Sequence, residues 1–346
     1  MRVLVTGGAG YIGSVVADEL LQSGHDVVVF DNLRRGHRDA VPKDAELVVG
    51  DLADRGALDG IFQSRAIDAV MHFAALIEAG ESMKAPEQFF RNNTANALTL
   101  VEAMLGAGVK HLVFSSTAAL YGNPKRTPIE EEDLLQPTNA YGESKLLMER
   151  MLAWFHQIHG LRYASLRYFN AAGASRPEKG EAHRPETHLI PRILQVALGR
   201  AEHVNVFGTD YPTADGTCVR DYIHVSDLAR AHLLALNVLP KHAPEKQARE
   251  KHVPETAPVD SAPLVYNLGN GQGFSVREVV EVARKVTGHP IPVIESPRRP
   301  GDPAVLIASS EKIRRELGWQ PRFADLQSIV ESAWVWHHAH PDGYGR

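Results

Sequence analysis

The 346-residue chain has little of several things, and each shortage removes a class of function. Cys218 is the only cysteine, which excludes an intramolecular disulfide and fits a reducing compartment. No stretch reaches the ~18 apolar residues of a membrane-spanning helix, and no apolar run of signal-peptide length precedes the first strand-like residues, so a cytoplasmic protein with no membrane partner is expected. Charge of one sign is also scarce. The 37 Lys and Arg against 42 Asp and Glu leave a formal net charge of −5, with no excess to suggest a nucleic-acid partner, and none is expected. His337, His338 and His340 lie among Trp334, Trp336 and Pro341 without ligand spacing, so no metal is expected.

What is present is an ordinary globular composition, 44% hydrophobic and 23% charged, in a chain long enough for two lobes at about 150 residues each. Val3 to Val5 reads as a buried parallel strand that runs into Gly7, Gly10 and Gly13 and then a helix reaching about Ser23. Gly7 permits the tight turn, Gly10 lets backbone approach a pyrophosphate, and Gly13 lets helix and strand pack closely. A second apolar run, Val27 to Phe30, ends at Asp31, where a carboxylate for an adenosine ribose is expected. Asp31 favours NAD, while Arg34 and Arg35 leave a 2′-phosphate open. Strand-like runs recur at Leu47–Val49, Ala69–Phe73 and His111–Phe114, with helical periodicity between them, including one run from Ala85 to Gly106. That alternation predicts a doubly wound, Rossmann-type parallel α/β sheet. Each run ends in small or polar residues, Gly50-Asp51-Leu52, Phe73-Ala74-Ala75 and Ser115-Ser116-Thr117, at the edge where such sheets collect ligands.

Tyr141 and Lys145 stand four apart in a helical run, so phenol and ammonium share a face. A cation beside a phenol favours the phenolate, which makes the pair a candidate proton shuttle. With the Thr6-Gly7-Gly8-Ala9-Gly10-Tyr11-Ile12-Gly13 opening and the Ser115-Ser116-Thr117 strand end, it resembles the extended short-chain dehydrogenase/reductase family. The resemblance implies that Thr117 holds a reacting hydroxyl, Tyr141 is the base and Lys145 binds the nicotinamide ribose. It narrows to sugar-nucleotide enzymes through Gly80-Glu81-Ser82, Asn92-Asn93, Leu166–Asn170, Asp215–Val225, Tyr266–Gly269 and Arg298–Ala304. The activity implied is NAD-dependent inversion at C4 of a UDP-hexose, glucose to galactose and back, in a homodimer built through residues 85–106 and 141–159. The implied cofactor shell is Gly7, Gly10, Tyr11, Ile12, Gly13, Asp31, Asn32, Asp51, Leu52, Phe73, Ala74, Ala75, Asn92, Thr117, Tyr141, Lys145 and Phe169. Ile77 departs from relatives that place a lysine there.

After Asn170 the chain turns to small residues and then to a loop rich in Pro, His and charge, through Thr187. We set the lobe boundary there: 1–170 for NAD, 171–346 as a smaller mixed α/β substrate lobe, with a helix at 225–239 packing back on the first. Arg220 has the fork geometry for a diphosphate, with Arg299 and Asp302 completing the grip. The resemblance adds Thr117, Tyr141, Asn170, His188, Leu189, Asn205, Phe207 and Leu306 to the substrate cleft. Leu306 falls where relatives tune pocket size, so UDP-GlcNAc and UDP-GalNAc remain open as a second pair. Residues 241–262 hold scarcely an apolar side chain and are expected to be a mobile insertion. Two rival readings stand: a nucleotide-sugar 4,6-dehydratase, opposed by Ala118-Ala119 after Thr117 where that reaction needs an acid and a base, and a non-catalytic dinucleotide sensor on the same fold.

Overall fold

The computed structural model describes residues 1–239, 262–299 and 301–345; the expected insertion at 241–262 lies outside them except for its last residue. The first lobe alternates strand and helix: β1 (Arg2–Thr6), α1 (Tyr11–Gln22), β2 (Asp26–Asp31), β3 (Glu46–Val49), α2 (Arg55–Ser64), β4 (Ala69–His72), α3 (Ala79–Ser82), α4 (Pro86–Phe89), α5 (Asn96–Gly106), β5 (His111–Thr117), α6 (Ala140–His159) and β6 (Arg162–Tyr168). Residues alternate across a strand, and β1 shows the result. Val3 and Val5 face one core with Val16 and Leu20 of α1, whereas Leu4 faces the other with Ile61, Leu100 and Met148. All are essentially excluded from water, as a sheet covered on both sides requires.

The chain then builds β7 (Asn170–Ala172), α7 (Leu189–Ala197), β8 (Val204–Phe207), β9 (Val219–Arg220), β10 (Tyr222–His224), α8 (Val225–Val238), β11 (Leu264–Leu268), β12 (Phe274–Ser275), α9 (Val276–Thr287), β13 (Val293–Ser296), β14 (Val305–Leu306), α10 (Glu311–Leu317) and α11 (Leu326–Ala339). Of these, β11 joins the first sheet beside β6, giving the order β11-β6-β5-β4-β1-β2-β3, parallel throughout. Helix α8 packs on α1 and shares its core through Leu228, Ala231 and Leu236. The remaining strands form small pairings, β7 with β10, β8 with β13, and β9 with β12 and β14, against a separate core of Ile193, Leu194, Val280, Ile329 and Val330. Strand order reverses between β1 and β4, and ligands bind such sheets at the carboxyl edge beside that point.

One expected helix is interrupted. Between α4 and α5, residues Phe90–Ala95 widen into a π-helical turn. The buried Asn93 explains it: its Oδ1 accepts from Leu76 N at 2.8 Å, and its Nδ2 donates to Leu76 O at 2.9 Å and Ser144 Oγ at 3.1 Å. The extra residue in the turn sets this amide between two chain segments instead of on the periodic face.

Candidate active site

The glycine turn is built with no room for side chains. A Cβ on Gly7, whose φ is +72°, would lie 2.5 Å from Ala74 N, and one on Gly13 would lie 2.3 Å from Gly7 O. Gly10 caps α1 without a side-chain hydrogen bond, so the first-turn N–H groups of Tyr11, Ile12 and Gly13 face the mouth of the turn as an anion-binding end. Asp31 closes the base of the cradle, Oδ2 accepting from Ala9 N at 3.0 Å and Oδ1 from Leu33 N at 2.8 Å. Each oxygen keeps a lone pair for a ribose hydroxyl. Asn32 donates to Asp51 at 2.8 Å, Leu52 is in the core, and Phe73 lies 4.9 Å from the His232 ring. Arg35, the candidate 2′-phosphate ligand, is paired with Glu78 at 2.9 Å. The uncapped helix end, the excluded side chains and the carboxylate together fit NAD.

At the carboxyl end of β5, Thr117 Oγ1 accepts from Ala119 N at 3.2 Å. The Tyr141 phenol reaches the same place from the first turn of α6, whose N-terminus is fixed by Asn139 accepting from Gly142 N at 2.8 Å. Burial raises the Tyr141 pKa, a hydrogen bond with Thr117 pulls it back, and Glu78 pushes it up again. Lys145 was expected to supply the opposing cation, yet its Nζ donates to Ser115 O at 2.8 Å and sits 4.9 Å over the Phe114 ring. Burial brings its pKa down to about 7, and Glu149 resists the fall. Lys145 is therefore poised to take either form near neutral pH, whereas burial favours the protonated phenol at Tyr141.

Beneath them is a network that sequence reasoning missed. Arg167 forks onto Glu149 at 3.1 and 2.7 Å, both side chains under 10% exposed, and also donates to Tyr121 Oη at 2.8 Å and Glu131 O at 2.9 Å. Ser116 Oγ donates to the same Glu149 at 2.6 Å. Glu149 lies one turn beyond Lys145 on α6, which is the only sequence signal that pointed to it.

The second lobe brings most of its expected residues together. Pairing of β9 with β14 sets Arg220 beside Leu306, and Arg220 Nη2 lies 3.3 Å from Asp302. The Arg299 guanidinium stacks 3.9 Å over Phe207, and Asn205 accepts from Ser296 Oγ at 3.3 Å on the adjoining strands. Asp221 anchors this corner by accepting from Asn270 N, Gly271 N and Ala308 N at 2.7, 3.0 and 3.1 Å. Leu306 packs on a cluster containing Phe169, Ala118 and Tyr121, next to Asn170 at the start of β7. Leu189 packs into the second core. Two residues sit differently from expectation. Asn92 Nδ2 donates to Asn93 Oδ1 at 3.0 Å, and the His188 ring is committed to Glu181 and Glu186.

A glycine cradle and a Thr–Tyr–Lys set at one edge of a doubly wound sheet, joined through Ala118, Phe169 and Leu306 to the strand that carries Arg220, define a dinucleotide-dependent enzyme of the dehydrogenase/epimerase class. The sequence pattern of the NAD dependent epimerase/dehydratase family matches residues 3–246, and the chain belongs to that family. It is 52% identical over 345 residues to a UDP-glucose 4-epimerase of Halalkalibacterium halodurans, covering 99% of this chain and 98% of the relative. Among solved structures it resembles the UDP-glucose 4-epimerase of Bifidobacterium longum in complex with NAD+ and UDP, with a TM-score of 0.89, 37% identity and coverage of 99% and 100%. That of Brucella ovis in complex with NAD gives a TM-score of 0.88 at 42% identity, covering 96% and 97%. Among the described residues, no helix is long and apolar enough to cross a membrane.

Proposed function

We infer that the chain interconverts UDP-glucose and UDP-galactose by oxidising and re-reducing the hexose at C4. The observation that carries this reading is the hydrogen-bonded Thr117–Tyr141 pair at the sheet edge, opposite Arg220 and Asp302. NAD, held by the glycine cradle and Asp31, supplies a reversible hydride acceptor. Thr117 Oγ1 holds the C4 oxygen, and Tyr141 acts as the phenolate, taking up the hydroxyl proton on oxidation to become the phenol and returning it on reduction. Lys145 orients the nicotinamide ribose, supported by Ser115 O and by the negative charge of Glu149. Arg220, Arg299 and Asp302 grip the diphosphate and ribose of UDP, with Asn205 and Phe207 flanking it. Anchoring at the UDP end leaves the 4-keto hexose free to turn its other face toward the same site. Leu306 beside Phe169 limits the space at C2 and supports the glucose–galactose pair over the N-acetyl forms, which we keep as a weaker second pair.

The lobe division at about residue 170, a homodimer and a cytoplasmic location belong to the same proposal. Trp154 and Ile158, one turn apart on α6, are 64% and 66% exposed, an apolar pair that supports a partner helix. The buried free thiol of Cys218 suits a reducing compartment. Ala118 and Ala119 offer no acid–base pair for dehydration. The test is to incubate purified protein with UDP-galactose, without added NAD, and follow UDP-glucose. Conversion is expected, and Tyr141→Phe should lower it by about 10²–10⁴-fold. No conversion with NAD supplied overturns the reading in favour of another nucleotide-sugar reaction or dinucleotide sensing.

A further inference from the structure

The loop from β7 to α7 carries a cluster that this reaction does not use. Glu181, His183, Glu186 and His188 each direct one ligand atom into a common space, all four within 4.8 Å of one another. His188 Nδ1 is 2.9 Å from Glu181 Oε1 and 3.1 Å from Glu186 Oε1, while His183 Nδ1 is 3.2 Å from Glu181 Oε1 and 3.5 Å from Glu186 Oε2. A tetrahedral ion with bonds of about 2.0–2.2 Å separates its ligands by about 3.3–3.6 Å. The four His–Glu edges are already near that length. Both carboxylate side chains are only 5% exposed.

Hydrogen bonding alone does not use up these groups. His183 Nδ1 is buried without a well-formed hydrogen bond, and so is Nε2 of His337, a buried residue of α11 that lies within the field of Glu181 and Glu186. We propose that Glu181, His183, Glu186 and His188 bind one divalent transition-metal ion of the zinc type, clipping the β7–α7 loop over α1. Two imidazole nitrogens and two carboxylate oxygens suit zinc or cobalt(II), whereas magnesium and calcium favour oxygen ligands in larger number. The loop already leans on α1, with Arg176 pairing to Asp18 at 2.8 Å and Tyr11 Oη donating to Gly173 O at 2.6 Å. A metal there would fix the start of α7, where Leu189 packs on the second core, and make His188 a metal ligand, not a sugar contact. Without metal, the same groups pair as imidazolium and carboxylate: burial opposes it, but the glutamates raise His183 to about 9 and His188 to about 10.

The full-length protein, stripped with a chelator, is titrated with cobalt(II) while its visible absorption is recorded. The expected result is the intense spectrum of four-coordinate cobalt saturating at one ion per chain, displaced by zinc and not by magnesium. His183→Gln and Glu186→Gln should each abolish it with far-UV circular dichroism unchanged, and a His338→Gln/His340→Gln variant should keep it. If those two single variants do not fold, a rise in wild-type Tm with zinc but not magnesium, together with one-to-one cobalt binding, carries the same support. Absence of the four-coordinate spectrum, or its survival in folded His183→Gln, overturns the site and leaves a network of ion pairs.

Discussion

Replacing Arg167 with methionine tests whether the network under the site is as demanding as its geometry implies. The substitution keeps most of the apolar volume but strands the Glu149 carboxylate, which is left with only Ser116 Oγ as a donor. Breaking a buried ion pair from one side costs about 3–5 kcal/mol, and the orphaned Glu131 carbonyl adds about 1–3 kcal/mol. The sum, about 4–8 kcal/mol, is a large share of the 5–15 kcal/mol by which folded proteins are typically stable. At about 2 °C per kcal/mol, the lower end of the usual range, which suits a long chain, Tm should drop by roughly 8–16 °C. Differential scanning calorimetry at fixed scan rate measures this. Adding Glu149→Leu should recover most of the loss, because it removes the stranded charge. It should not restore turnover, since Glu149 also supports the Lys145 ammonium. A drop below about 3 °C for the single variant, or a double variant no more stable than the single, would refute the reasoning.

Other outcomes follow from the same geometry. Gly13→Ala places a methyl 2.3 Å from Gly7 O, so the purified variant should carry far less NAD than wild type when nucleotide is released by denaturation and quantified. Lys145 titrates near 7 when folded and near 10.4 unfolded. Between those values the unfolded chain holds the extra proton, so this group makes stability rise with pH, by up to about 1.4 kcal/mol per unit; urea unfolding at two alkaline pH values should show a slope that Lys145→Met removes, and an unchanged slope would contradict the assignment. Leu306→Ala opens space beside Phe169 and should raise kcat/KM for UDP-GalNAc relative to UDP-galactose by about tenfold or more. An unaltered ratio would move the size filter elsewhere.

The parts of the fold legible in the sequence were those whose causes are local. Three consecutive buried residues, Val3 to Val5, followed by glycines at fixed spacing, can serve little except a strand–turn–helix, and Gly7 and Gly13 prove to be positions where a Cβ collides with backbone. Asp31 was legible for the same reason, although its two bonds to Ala9 N and Leu33 N were not. What escaped depends on distant segments meeting. Arg167 and Glu149 stand 18 positions apart and pair only because α6 lies across β6. Periodicity extended one helix through Asn93, and the amide's bonds to Leu76 and Ser144 changed the phase of that turn. His188 was placed in the substrate cleft, but the mutual pairing of the histidines and glutamates of the β7–α7 loop was not legible, because burial there comes from α1 and α11, which no local pattern reveals.

The pairing of the first lobe with the chain's last quarter has a consequence for biosynthesis. Ile129 N donates to Ile307 O at 2.8 Å, Ser309 N donates to Ile129 O at 2.7 Å, and Tyr121 Oη donates to Asn267 at 2.7 Å. When the ribosome has only reached β6, the segment carrying Ala118 to Glu131 therefore has Arg167 as a native partner but lacks these later ones. At about 5–20 residues per second, the missing strand and loop emerge roughly 7–28 s later. During that interval β6 is an open edge of the nascent sheet, the kind of edge that pairs with other chains. The tail of this protein completes a surface its first half cannot close, so stalled or truncated translation products should fall to chaperones or aggregate, with no functioning cofactor domain to show for it.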